Sequence, residues 1–210
     1  MYRRFLLLGL LIGLAASPLS AQEKGTIVLK YVPSGLLDYY FTYIQFSGEY
    51  YLQSDMSVEV EYGFSRNSGQ ILEEPVMRNV QGQKYRLGWR KYLEGEIFGG
   101  VLLMLRDETF ELEGDFRRLG NSFRQRIWYG VDQQTYAAYG TVGVAPIIEG
   151  RFQFEGMLGL GARYIDRTFS GVPADAEFLT NGSLFAEYMG NTESVWALSL
   201  LLSFKVGGGF

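Results

Sequence analysis

The segment from Thr135 to Ile165 alternates between apolar and small or polar residues, and it does so over two successive arms. A period of two is typical of a β-strand whose two faces meet different surroundings. Pro146 and the Glu149-Gly150 pair separate the arms, as expected for a tight turn. Each arm is long enough to cross a membrane as a strand, which takes roughly 9–11 residues. The apolar parity of the second arm comprises Phe152, Phe154, Leu158, Leu160, Ala162 and Tyr164.

The same alternation recurs in six further segments, which predicts eight strands in all. Short turns near positions 53, 95 and 149 alternate with long links over 66–82, 107–134 and 166–194. An even number of antiparallel strands with short turns at one end and longer loops at the other is typical of bacterial outer-membrane barrels. We therefore expect an all-β, up-and-down barrel of eight strands; a further strand over 178–189 would make ten. The six segments are 26–32, 41–52, 56–65, 83–93, 97–106 and 195–206.

Residues 1–21 have the pattern of a secretory signal peptide. Arg3 and Arg4 precede an apolar run, and Leu19-Ser20-Ala21 offers a cleavage site of small residues. We expect residues 22–210 to form one exported barrel domain. After the signal there is no stretch of 18 or more apolar residues, which excludes a spanning helix. The formal net charge of −4 gives no support for nucleic-acid binding.

Alternation alone does not say which face points outward, because a soluble, lipocalin-like barrel shows the same period. Here the second face is mostly Gly, Ser, Thr and Ala with a few charges, which suits the narrow lumen of an eight-stranded membrane barrel. Aromatic residues also collect near the strand ends, as in the girdles at the membrane–water boundary. These aromatics are Tyr39, Tyr40, Tyr50, Tyr51, Tyr62, Phe64, Tyr92, Trp128, Tyr129, Tyr136, Tyr164 and Trp196.

The last strand ends at Phe210, and a terminal aromatic after an alternating strand resembles the signal by which the barrel-assembly machinery takes up outer-membrane proteins. Gly207-Gly208-Gly209 departs from that pattern. The whole order of strands and turns resembles the small outer-membrane β-barrel domain proteins of Gram-negative bacteria. That resemblance implies an outer-membrane location among lipid and lipopolysaccharide, and it implies a fold rather than an activity. The segments that carry it are 29–33, 49–52, 85–87, 98–100 and 158–161.

Charged residues fall on the face that we assign to the lumen. Glu59 and Glu61 share this face of one strand, and Lys84, Arg86 and Arg90 share it on the next. Because buried charges must pair, this arrangement predicts a salt-bridge network that plugs the barrel. The alternative is a narrow passive, porin-like channel, although eight strands leave little room for water. The predicted network comprises Glu49, Glu59, Glu61, Lys84, Arg86, Arg90, Glu155 and Arg163, with Lys30 and Lys205 beside them.

An enzymatic function finds no support in the residue types. The chain has no histidine and no cysteine, so Ser-His and Cys-His catalytic pairs are impossible. The acidic residues of the links lack the spacing of a calcium loop. We therefore expect no catalytic residues, no cofactor and no metal site.

The predicted link over 107–134 carries four arginines with aromatic residues between them. A planar guanidinium matches the phosphates of lipopolysaccharide well, so an extracellular link of this kind would contact lipopolysaccharide or a protein partner. We expect a structural or surface-interaction role through the long links, with a narrow channel and a soluble ligand-binding barrel as the alternatives. The four arginines are Arg117, Arg118, Arg124 and Arg126.

Overall fold

Eight long strands form a closed antiparallel ring in the computed structural model, which describes residues 24–37, 42–66, 77–93, 96–118, 124–148, 152–178 and 193–209. Consecutive strands pair, and the last strand pairs with the first to close the ring. The predicted eight-stranded up-and-down barrel is confirmed. The strands are β1 Ile27–Tyr31, β2 Ile44–Gln53, β3 Met56–Arg66, β4 Met77–Tyr92, β5 Ile97–Arg118, β6 Arg124–Val144, β7 Phe152–Ser170 and β8 Ser194–Gly209.

Two short strands pair with the ring without forming part of it. Ile147–Ile148 pairs with β7, and Ala176–Phe178 pairs with the upper end of β5. The predicted signal peptide, the terminal Phe210 and all but the first residue of the predicted strand over 178–189 lie outside the described residues. No helix in the described part of the chain is long and apolar enough to cross a membrane.

The pairing register fixes the width and tilt of the barrel. We follow the directly paired residues from strand to strand once around the ring, starting at Ser199 on β8. The path crosses β7, β6, β5, β4, β3 and β2 and reaches Val28 on β1. Val28 is paired with Gly209, so the path returns to β8 ten residues beyond its start. A shear of ten over eight strands tilts the strands by roughly 40° and leaves a lumen that side chains can fill.

The two faces of the ring have the predicted parity. On β4, Lys84, Arg86 and Arg90 are buried inside the ring, whereas the alternate residues Leu87 and Trp89 are 51% and 44% exposed outside it. The same alternation holds on the neighbouring strands. The outer face is therefore an apolar surface. The inner face carries buried polar and charged residues beside an apolar cluster that includes Phe98, Leu102 and Met157.

Four strands continue well beyond their predicted ends, so the long link predicted over 107–134 is wrong, and the link predicted over 66–82 is too long because β4 begins at Met77. β5 and β6 pair from Ile97↔Val144 up to Arg117↔Arg124, and β7 runs on to Ser170. The outward residues become polar above position 106, which made this region look like a loop. Inward residues remain buried or half-buried throughout, and above the polar residues Glu108 and Gln133 most of them are apolar and pack together. This upper apolar cluster comprises Tyr43, Val80, Phe110, Leu112, Phe116, Tyr129 and Val131.

The seam that closes the ring depends on a glycine. β8 meets β1 over the pairs Val28↔Gly209 to Tyr31↔Val206. A Cβ placed on Gly207 would lie 2.3 Å from the carbonyl oxygen of Leu29, closer than any side chain tolerates. The glycine run that departs from the usual terminal pattern is thus what lets the last strand approach the first.

Replacing Gly207 by alanine should weaken the seam, because the new methyl group overlaps the β1 backbone. We expect Gly207→Ala to lower the free energy of unfolding by about 1–3 kcal/mol. Gly156→Ala is the matched control, since the nearest atoms to a Cβ there lie 4.0 Å away. Urea titration of the folded protein in detergent measures both variants. Equal stability of the two would contradict this account of the seam.

Candidate functional site

Eight charged side chains from six strands meet inside the ring. Four are carboxylates and four are cations, so their formal charges cancel. All eight are buried, and the most exposed of them, Arg86, reaches only 8%. We call this set the charge cluster. Its members are Lys30, Glu49, Glu59, Glu61, Arg86, Arg90, Glu155 and Lys205.

Arg90 lies at the centre of the charge cluster. Its Nη1 donates to Glu155 Oε2 at 2.8 Å and its Nη2 donates to Glu155 Oε1 at 2.7 Å, a bidentate pair. Nη2 also donates to Glu59. The guanidinium carbon stands 4.6 Å from the centre of the Phe98 ring. One side chain of β4 thereby joins β3 and β7 across the lumen.

Two lysines continue the charge cluster across the seam between β1 and β8. Lys30 Nζ lies 2.6 Å from Glu155 Oε2 and also contacts Glu49. Lys205 Nζ lies 2.5 Å from Glu59 Oε2 and 3.1 Å from Glu61 Oε2. Each lysine therefore binds carboxylates on strands other than its own, and the cluster holds the first and last strands to the same partners.

The upper end of the charge cluster is extended by hydrogen bonds. Arg86 Nη1 lies 2.7 Å from Glu61 Oε1, which also accepts a 2.6 Å bond from Gln45 Nε2. Lys84 Nζ donates to Gln45 Oε1 at 3.2 Å and stands 4.4 Å from the centre of the Tyr43 ring. Lys84 thus connects to the cluster through Gln45.

Two tyrosines close the lumen at the end with the short turns. The rings of Tyr51 and Tyr92 stack with centroids 5.6 Å apart, and their hydroxyls lie 2.8 Å from each other. Tyr92 donates to Glu49 Oε1 at 2.9 Å. Tyr51, Tyr92 and Tyr129 were predicted to lie in the membrane girdle, and that is wrong: all three are buried inside.

A second polar group lies higher in the lumen, around Glu108. The Oε1 of this carboxylate accepts from Tyr43 Oη at 2.6 Å, and its Oε2 accepts from Gln133 Nε2 at 2.9 Å. Arg106 Nε lies 3.0 Å from Oε2. Arg167 Nε donates to Gln133 Oε1 at 2.7 Å. This group was not predicted, because Glu108, Gln133 and Arg167 lie in regions that were interpreted as links. The alternation of buried and exposed residues continues through these regions, and it indicates strands there.

The structure places Arg163 outside the charge cluster. It lies eight residues above Glu155 on β7, and the residues paired with it are Ala137 and Ala197. The other seven predicted residues are brought together, either in the cluster or, for Lys84, through Gln45. Lys30 and Lys205, predicted to lie beside the network, both contact Glu155; spacing alone does not show that they share this carboxylate.

The four arginines lie on strand ends rather than in a link. Arg118 Nη1 lies 2.5 Å from Asp175 Oδ1, and Arg126 Nε lies 3.0 Å from Asp115 Oδ1. Arg117 and Arg124 are exposed and stand directly opposite each other at the tip of the β5–β6 hairpin. Two like charges in this position disfavour pairing unless an anion lies nearby. On its other side Arg117 is paired with Glu177 of the short strand Ala176–Phe178, whereas Arg124 has no acidic residue directly opposite it in the described pairing.

Further down the same hairpin, an exposed pair joins β4 to β5. Arg78 Nε lies 2.5 Å from Glu111 Oε2, and its guanidinium carbon is 4.1 Å from the centre of the Trp128 ring. Hydrogen bonds from Asn79 and Arg78 lower the pKa of the Glu111 carboxyl. Asn79 adopts a positive φ of 55° where the β4–β5 register shifts, which directs its amide to Glu111.

The carboxylates of Glu49, Glu59 and Glu155 converge closely enough to hold a cation, with oxygens within 4.8 Å of one another. Lys30, Arg90 and Lys205 already contribute their ammonium and guanidinium groups at this point. The arrangement is therefore one of ion pairing that links strands.

No family model matches this chain, and no curated protein matches it. Among solved structures, the crystal structure of the N-terminal β-barrel domain of Pseudomonas aeruginosa OprF matches with 10% identity and a TM-score of 0.36. The match covers 90% of this chain and all of that one. At this level of similarity the match carries no argument. The ring, the apolar outer face and the filled lumen of this chain are by themselves those of a small outer-membrane-type β-barrel.

Replacing Arg90 by methionine should destabilise the barrel strongly, because Glu59 and Glu155 would keep buried charges without their guanidinium. Removing one partner of a buried pair costs about 3–5 kcal/mol. Arg78→Met is the control, since the Arg78 side chain is 50% exposed and water can replace its partner. Denaturant unfolding of both variants in detergent tests this. An Arg90→Met variant as stable as Arg78→Met would show that the central ion pairs contribute little.

Proposed function

We propose that this chain is a non-enzymatic outer-membrane β-barrel that does not conduct and acts through its surface. The charge cluster is the observation that carries this proposal. Its eight side chains fill the lumen and bind one another across it, and the Tyr51–Tyr92 pair lies beneath them. A water-filled path would have to break several buried ion pairs at once.

Membrane placement is supported by the outer face. On β5 the outward residues from Ile97 to Leu105 are apolar and exposed, and they are followed by polar Asp107 and Thr109. At roughly 3.3 Å per residue and a tilt of roughly 40°, the apolar part spans roughly 20–25 Å. Transmembrane barrels have an apolar band of about this height.

The surface role is supported by the extension of β5 and β6 above the apolar band. The inner face of this hairpin packs on the upper apolar cluster, so the hairpin is held upright. Its tip presents Arg117 and Arg124 side by side. Arg117 lies twelve residues beyond Leu105, so this pair stands well above the outer boundary of the band. Phosphate groups on the sugar core of lipopolysaccharide, which projects outward from that boundary, would neutralise it.

Fractionation and electrophoresis test the membrane placement. We expect the protein in the outer-membrane fraction, with a band that shifts between unheated and boiled samples because a closed barrel resists detergent. Recovery from the soluble periplasm without a shift would favour the alternative, a lipocalin-like barrel that binds a small apolar ligand.

Planar-bilayer recording tests the plug. We expect no conductance steps from the unaltered protein, and none from Arg86→Met, because the Arg90 contacts and the tyrosine pair remain in that variant. Regular steps from the unaltered protein would instead support the narrow passive channel.

Binding to lipopolysaccharide tests the role of the hairpin tip. Replacing Arg117 and Arg124 together by glutamine should weaken binding at least tenfold, since charge-assisted hydrogen bonds contribute about 1.5–3 kcal/mol each. Arg78→Gln should keep the affinity, because that arginine is paired with Glu111 away from the tip. Titration of purified lipopolysaccharide into the folded protein measures all three. If the double variant binds lipopolysaccharide with unchanged affinity, the hairpin tip is not the binding site.

A further inference from the structure

Among the described residues, no strand covers the edge of β8 above the seam. β1 pairs with β8 only between Val206 and Gly209, whereas β8 continues upward to Ser194. Pro33, which has no N–H to donate, starts a 3-10 turn where β1 would have continued. The Ser34 hydroxyl then forms hydrogen bonds with both the main-chain amide and the main-chain carbonyl of Phe204. It accepts from the amide at 3.1 Å and donates to the carbonyl at 3.4 Å.

Above Phe204, the main-chain N–H and C=O groups of every second residue of β8 point away from β7, toward the side on which β1 lies. In an antiparallel pair, residues alternate between those that bond the partner strand and those that face the other side. Phe204 faces the β1 side, so Leu202, Leu200, Leu198 and Trp196 face it as well. Over 24–37, 42–66 and the other described ranges, no strand pairs with this edge.

The side chains along this edge are the most exposed large apolar ones on the described surface. Leu198 and Leu200 are both 84% exposed, whereas Leu160, directly opposite Leu200 on β7, is 62% exposed. In the part of the chain that the structure describes, no strand covers the other flank of Leu198 and Leu200. With the membrane placement proposed above, this edge lies in the upper part of the apolar band.

A lipid chain cannot satisfy such an edge, because it has no hydrogen-bonding groups, and each unpaired main-chain group in hydrocarbon costs several kcal/mol. A second copy does not fit either. Two copies inserted in the same direction are related by an axis along the membrane normal, so their β8 strands, each tilted by roughly 40°, would cross at roughly 80° instead of pairing. An extended polypeptide supplies donors and acceptors at the required spacing.

We propose that the β8 edge from Trp196 to Leu202 is a docking site for an extended polypeptide segment of seven residues, which adds to the barrel as a strand. The segment continues the line of β1 and runs antiparallel to β8. Its outward residues are apolar, to match Leu198 and Leu200. Its inward residues are small or polar, because Ser199, bonded to Tyr139 at 3.0 Å, lines the lumen beside it.

A synthetic peptide of seven residues with alternating leucine and serine is the probe. It is titrated into the full folded mature chain, labelled with ¹⁵N, in phosphocholine-detergent micelles. We expect the amide signals of Leu198, Leu200 and Leu202 to shift with saturation, and their hydrogen exchange to slow at least about tenfold on strand addition. The same peptide, N-methylated at the residues that face β8, should have no such effect. Equal shifts with the methylated peptide would indicate apolar adsorption and overturn the proposal.

Leu200→Pro is the matched variant in the protein. The amide of Leu200 faces the free edge, so proline there removes one edge donor and leaves every bond to β7 in place. We expect this variant to keep its heat-dependent band shift while its affinity for the peptide falls at least tenfold. Leu200→Ala should bind as the unaltered protein does. Unchanged binding by the proline variant would refute strand addition.

The proposal rests on the membrane placement proposed above, but separate experiments test the two. The titration in micelles concerns the edge alone, whereas fractionation concerns the location alone. If the free protein already shows contacts between the Leu198 and Leu200 amides and residues 179–192, this chain covers its own edge and the docking proposal is wrong.

Discussion

Closure of the ring depends on ion pairs that cross its weakest seam. β7 and β8 share pairs all the way from Asp166↔Ser194 to Phe152↔Gly208, whereas β8 and β1 share only Val28↔Gly209 to Tyr31↔Val206. Lys30 and Lys205 lie on the two sides of this short seam and both bind Glu155 on β7, at 2.6 and 3.4 Å. Ion pairs through the lumen therefore stabilise the β8–β1 seam, where there are few main-chain hydrogen bonds.

Such a cluster is a costly way to fill a lumen, and the cost explains its composition. Burying a carboxylate or an ammonium group is unfavourable by several kcal/mol unless its partners are well placed. Here four charges of each sign cancel, and Arg90 satisfies two carboxylates at once. Apolar side chains could fill the same volume, but they would not specify which residues face each other. The paired charges thus define the register of the strands around the ring.

Much of the fold followed from alternation, because a half-buried strand leaves a period of two in the sequence. Glu59, Glu61, Arg86 and Arg90 could be assigned to the lumen by parity alone. The length of β5 and β6 could not, since the outer face turns polar where it leaves the apolar band and then reads as a loop. Nor could the sequence show which residues of the other strands lie beside Arg163, because that depends on the register and shear of the ring; they are Ala137 and Ala197.

The charge cluster also determines how the ring can close. The contacts of Lys30 and Arg90 with Glu155, and of Lys205 with Glu59, join β1, β3 and β4 to β7 and β8, so these contacts form only when the last strand has met the first. Before that moment eight ionised groups border an opening in the wall, where hydrocarbon would meet bare charge. A partly closed barrel in lipid is then less stable than either an uninserted chain or a finished ring. The cluster would thereby favour insertion of the closed ring over a partly closed one.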